Sequence, residues 1–82
     1  PRRMRTDLVA MTHDVVEVAR RNHRYAHTDI QVSHGSPEII ALIDGDQIRQ
    51  VIWNLLNNAL THAPQGSSVR IAMEERDGAA YW

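Results

Sequence analysis

The stretch "QVIWNLLNNALTHAP", Gln50 to Pro64, decides how this chain is read. Three asparagines, Asn54, Asn57 and Asn58, interrupt an otherwise apolar helical pattern. Asparagine is a mediocre helix former, because its amide competes with the backbone for hydrogen bonds. Around them Ile48, Val51, Ile52, Leu55, Leu56, Ala59 and Leu60 follow the i, i+3, i+4, i+7 series of an amphipathic helix. Pro64 stops the series, and Asp46 in the preceding "DGD" is expected as the N-cap. With about 100° between successive residues, Asn57 falls opposite the apolar stripe and is expected in solvent. Asn54 and Asn58 fall together on one flank, which Gln47, Gln50 and Thr61 extend; His62 lies on the same side, nearer the sheet. Spacing alone leaves two readings of the pair open. The two amides either hydrogen-bond each other or a nearby loop, or they offer an oxygen to Mg²⁺ and N–H groups to phosphate or water.

Outward from that helix, the periodicity changes three times. From Asp7 to about Tyr25, the residues Leu8, Met11, Thr12, Val15, Val16, Val18, Ala19, Asn22 and His23 share one half of a helical wheel. Asp7 is the expected cap, and Arg20, Arg21 and Arg24 complement the dipole at the other end. In "TDIQVSHGSPEIIALID" the pattern alternates and then becomes a short β-branched run. It predicts two strands joined by a turn at Gly35–Pro37, with a buried helix segment as the less favoured reading of "IIALI". "VRIAMEER" alternates Val69, Ile71 and Met73 against polar neighbours, and "RDG" reads as a hairpin turn into "AAYW". Residues 1–6, "PRRMRT", read as a lead-in or linker end. The expected order is α-β-β-α-β-β, an α/β two-layer sandwich with both helices on one face of a mixed sheet.

Composition narrows the possible functions. At 82 residues the chain is one small domain or part of one, burying only about 60–65% of its unfolded surface. The absence of cysteine removes disulfides and thiolate zinc sites. A net charge of −1 argues against a general nucleic-acid binder. All nine basic residues are arginine, so a GxxxxGK[ST] phosphate loop is impossible. No apolar run approaches the ~18 residues of a membrane span. Pro1 in place of an initiator methionine, and the apolar "AAYW", suggest a piece of a longer protein.

"NLLNNALTHAP" resembles the N box of the sensor histidine kinases, whose ATP-binding domain has the GHKL, or Bergerat, fold. The matching positions are Asn54, Asn58, Ala59, Thr61, His62 and Pro64. "DGDQIRQVIWNLL" is similar to the family's approach to that box, "DLVAMTHDVVEVAR" to its first helix, and "GSSVRIAMEERDGAAYW" to the following hairpin. The resemblance covers residues 7–82 and implies the N-terminal part of the ATP-binding domain.

It implies further that Asn58 coordinates the Mg²⁺ bridging the ATP phosphates. Asn54 takes the position where hydrolytic relatives of the same fold carry a catalytic Glu. An amide cannot accept a proton, so water is not activated and the γ-phosphoryl group is kept for a histidine. Thr61 and His62 occupy phosphate-contacting positions. Thr61 replaces the commoner Lys or Arg, and His62 either meets a phosphate or packs at the helix end. The implied cofactors are ATP and Mg²⁺. The implied partners are a phospho-acceptor histidine (dimerisation) domain, in cis or in trans, and a downstream response regulator. The domain is expected in the cytoplasm, with the parent protein anchored in the inner or cell membrane through a segment elsewhere in it. The family's DxGxG segment, phenylalanine box and second glycine box do not occur in these residues, so the 82-residue piece alone is expected to bind ATP poorly. The rival readings are a degenerate, non-catalytic interaction module or one half of a split kinase. His13, followed by Asp14, superficially fits a phospho-acceptor box, but Glu17 and Val18 break that pattern, leaving a solvent-facing helical histidine. A metal site at His23 and His27 lacks a third ligand.

Overall fold

Asp7 starts the first helix as the sequence predicts. The computed structural model describes residues 3–64, 66–76 and 79–82. In it Asp7 Oδ1 accepts from the Val9 N–H at 3.0 Å and from the Ile39 N–H at 3.3 Å. One carboxylate thus caps helix α1 (Leu8–Arg20) and fastens the segment that leads into β3 (Ile40–Ile43). Leu8, Val9, Met11, Thr12, Val15, Val16 and Ala19 of α1 are buried. The helix stops earlier than its periodicity suggests. Asn22 turns extended (φ −83°, ψ 120°) and its side chain accepts from the Arg24 N–H, opening a 3-10 turn at His23–Tyr25. This is the amide-against-backbone competition that makes asparagine a poor interior helix residue. Val18 and His23, placed on the apolar half by the wheel, are exposed.

The strands confirm the α/β class and refine its topology. Met4–Thr6, expected as part of a lead-in, join Asp7 in a strand β1 (Met4–Asp7) paired antiparallel with β3, Met4 opposite Ile43. Backbone pairing rather than an apolar alternation defines this ribbon, so hydropathy had nothing to signal. β2 (Asp29–His34) and β3 do not pair with each other. β2 lies parallel to β4 (Ser68–Arg76), which in turn pairs antiparallel with β5 (Ala79–Tyr81). The mixed sheet is therefore β2-β4-β5, with β1-β3 as a separate ribbon. The turn expected at "RDG" includes Asp77 and Gly78, which lie outside the described residues. In the loop before β4, Gly66 takes a φ of 81°, a conformation glycine adopts without strain.

Helix α2 (Gly45–His62) is capped by Asp44, not Asp46. The Asp44 carboxylate accepts from the Asp46 and Gln47 N–H groups at 3.0 and 3.4 Å. Asp46 falls in the first turn, where its charge still favours the positive end of the dipole. Ile52, Leu56 and Leu60 of α2 pack with Met11, Val15, Val16 and Ala19 of α1, and with Tyr25, Ile30 and Ile71. A second cluster joins Leu8, Val9, Ile39 and Met73, and both clusters touch Ile48 and Trp82. Each fully buried aliphatic side chain contributes on the order of 1.5–3 kcal/mol.

The buried stripe of α2 is rotated from the predicted one. Val51 and Leu55 are 47% and 50% exposed, and the half-buried side shifts towards Trp53 and Asn57. Because α1 packs against α2, the second helix is shared between two neighbours. Its buried arc therefore includes positions that a sheet-only packing would leave wet.

Candidate functional site

The exposed flank of α2 holds the predicted amides. Asn54 and Asn58 are both exposed, one helical turn apart. Their open side lies next to exposed Val51, Leu55 and Ala59, and the core face formed by Ile52, Leu56 and Leu60 lies on the other side of the helix. Asp44 caps the start of helix α2, and three fully or nearly fully buried aliphatic residues set which side faces the core.

Gln50 Nε2 donates to Asn54 Oδ1 at 2.9 Å. This orients the Asn54 amide, occupying its oxygen and leaving its NH₂ to donate outward. Among the described residues no side-chain hydrogen bond engages Asn58, so its oxygen remains free to accept or coordinate. His62 is exposed in the last turn of the helix. Thr61 is also exposed, but it lines a cleft of about 270 Å³ together with Arg24, Tyr25, His27, Thr28, Leu60 and Ala63. The four predicted site residues therefore share one exposed side of α2, with Thr61 turned furthest towards the 3-10 turn.

Asn57 departs from expectation. It is half-buried, and its Oδ1 accepts from the Tyr25 hydroxyl at 2.8 Å. The wheel put it in solvent because it measured only distance from the apolar stripe. Tyr25, expected as the last residue of the first helix, instead lies in the 3-10 turn and reaches across to α2. Nothing in the sequence signalled that contact, since it depends on where Asn22 ends α1. The arginines near the end of α1 also have structural partners. Arg20 pairs with Glu17 and donates from Nη2 to the Ile30 carbonyl at 2.6 Å, and Arg24 lies 5.9 Å from the centre of the Tyr25 ring.

Among the described residues no three His, Cys, Asp or Glu side chains come together as a metal-holding group, and no helix is long and apolar enough to cross a membrane. On the α2 flank the Asn58 amide offers a cation a neutral oxygen, and no group of three carboxylate or imidazole side chains stands among the described residues. That donor set fits Mg²⁺ arriving with its phosphates, since Mg²⁺ keeps several waters and substrate oxygens rather than an all-protein cage.

No protein-family profile matches the sequence. The chain is 33% identical over 75 residues to the sensor protein KdpD of Clostridium acetobutylicum, which aligns 90% of this chain and 8% of that protein. It is 50% identical over 34 residues to the adaptive-response sensory kinase SasA of Synechococcus sp. strain JA-3-3Ab, covering 42% of this chain and 9% of that one. Among solved structures, the catalytic domain of histidine kinase ThkA superposes with a TM-score of 0.85 at 18% identity, over 94% of this chain and 53% of that one. The mycobacterial sensor histidine kinase MprB superposes at 0.79 with 20% identity, over 92% and 48%. The chain thus spans under a tenth of these curated relatives and about half of the solved chains. The resemblance read from the N box therefore holds in both sequence and fold: over nine-tenths of its length the chain matches a sensor kinase, and it has the fold of about half of a histidine kinase catalytic domain.

Proposed function

We propose that the chain is the N-terminal part of the ATP-binding domain of a two-component sensor histidine kinase, and that its α2 flank forms the metal-and-phosphate wall of the nucleotide site. The observation carrying this reading is the exposed, aimed pair Asn54 and Asn58 on a helix anchored by Ile52, Leu56 and Leu60. Asn58 offers the free amide oxygen that would hold Mg²⁺. When bound, the cation neutralises charge on the triphosphate as the γ-phosphoryl group is transferred. Asn54, its oxygen held by Gln50, presents N–H donors to a phosphate or an ordered water. Neither amide can take a proton, so the site does not activate water, and transfer to a histidine is favoured over hydrolysis. Thr61 and His62 supply weaker contacts at the end of the same wall. The acceptor histidine lies on a separate dimerisation domain, in cis or in trans, and passes the phosphoryl group to a response-regulator aspartate.

The exposed Val51 and Leu55 beside the amides support a second reading, in which the module serves only as an interaction scaffold. Isothermal titration of the parent protein separates the two. The kinase reading expects Asn58→Ala to lose Mg-ATP affinity by at least about tenfold, the scale of one charge-assisted contact. If Asn54→Ala and Asn58→Ala both bind Mg-ATP as the unaltered protein does, the scaffold reading replaces it. The 82-residue chain by itself is expected to bind Mg-ATP poorly, and tight binding there would contradict the role given to the residues it lacks.

A further inference from the structure

Away from the α2 flank, two histidines 21 residues apart converge. His13 on α1 and His34 at the end of β2 bring their Nε2 atoms to 3.4 Å, with ring centroids 5.5 Å apart and the planes at 86°. His34 Nδ1 lies 2.8 Å from the Ser36 carbonyl oxygen. A carbonyl can only accept, so Nδ1 is the donor to it, and Nε2 is the nitrogen left facing His13.

Two nitrogens sharing a tetrahedral cation at zinc–nitrogen distances of about 2.0–2.1 Å stand about 3.3–3.4 Å apart. Cis nitrogens of a square-planar or octahedral cation at similar bond lengths would stand only about 2.9 Å apart. The His13–His34 spacing therefore matches tetrahedral chelation before any metal arrives. The Nδ1–H donation to a backbone carbonyl is also the outer contact that orients metal-bound imidazoles. Both side chains are exposed, so a cation can reach them from solvent.

We propose that His13 and His34 form a two-imidazole site for Zn²⁺ that clips α1 to the end of β2. No third His, Cys, Asp or Glu joins them among the described residues, as none joins His23 and His27; what sets this pair apart is the convergence of its Nε2 atoms, with water completing an exchangeable shell. In the bound state each imidazole offers its Nε2 lone pair and keeps its proton on Nδ1. The site draws residues from two elements and exists only in the folded chain, so zinc stabilises the fold by mass action.

The test uses the 82-residue chain with zinc chloride. The expected result is one-to-one binding, a thermal midpoint that rises with zinc up to about 0.1 mM, and shifts of the His13 and His34 Nε2 resonances in long-range ¹H–¹⁵N spectra. His13→Gln and His34→Gln should each weaken binding at least about tenfold, with far-UV circular dichroism confirming that the fold is kept. The His23→Gln, His27→Gln double variant should bind as the unaltered chain does, because the 3-10 turn between those residues removes their helical spacing. Absence of binding at about 1 mM zinc, or binding that survives His13→Gln and His34→Gln, overturns the proposal. Unmoved Nε2 resonances of these two histidines overturn it even if the variants fail to fold.

Discussion

Asn57 and Asn58 are adjacent and chemically identical, and the two sides of α2 use them differently. Asn57 lies half-buried under the Tyr25 hydroxyl, its oxygen committed at 2.8 Å to a contact that ties the 3-10 turn to the helix. Asn58, about 100° further round, stands exposed beside Asn54. The same contrast holds for their apolar neighbours: Ile52 and Leu56 are fully buried, whereas Val51 and Leu55 are about half exposed. An amide's role here is set by which neighbour the helix phase brings to it. One side of α2 holds the fold together, and the other is free to meet a ligand.

The largest expected difference tests the two apolar sides. Leu56→Ala should cost about 2–5 kcal/mol of stability by chemical denaturation, enough to leave a domain this small largely unfolded, whereas Leu55→Ala should cost well under about 1 kcal/mol. Equal costs would mean that the phase of α2 is wrong. Next comes the asparagine contrast. In the parent protein, Asn58→Ala should lower Mg-ATP affinity at least about tenfold, some 1.4 kcal/mol, with no change in melting temperature. Asn57→Ala should do the reverse. It leaves the largely buried Tyr25 hydroxyl without its acceptor and should destabilise by about 1–3 kcal/mol while keeping nucleotide affinity. Tyr25→Phe removes the donor instead of orphaning it, and should cost only about 0.5–1.5 kcal/mol. A similar loss at both asparagines in either assay would erase the distinction. The smallest effect sharpens where α2 begins: Asp44→Ala should destabilise by about 1 kcal/mol and Asp46→Ala by only a few tenths, compared by thermal melting.

The residues that were legible in the sequence are those whose environment is local. Asp7 as a cap, the alternation of Ile71 and Met73 in β4, and the exposed Asn54–Asn58 flank all follow from spacing within one element. What escaped depended on distant partners. Strand β1 is defined by pairing with β3 some 36 residues away, and hydropathy does not record pairing. The cap fell to Asp44 because two aspartates flank Gly45, and cap preference alone does not choose between them. The rotation of the α2 stripe and the burial of Asn57 both come from α1 and Tyr25 packing alongside. A single-helix wheel has no term for a second helix. At the candidate site, the sequence indicated which amides share a face, but not that Gln50 would orient Asn54 or that Thr61 would turn towards Arg24 and His27.

Thr12 is fully buried within α1, where its hydroxyl donates to the Leu8 carbonyl at 2.8 Å and accepts from the Trp82 indole N–H at 2.9 Å. During synthesis, then, the first helix can form early, but one face of its core stays uncovered until the ribosome has released the segment bearing Trp82, seventy residues later. Until that moment the Thr12 hydroxyl has its Leu8 carbonyl partner but not the indole N–H that closes the core over it.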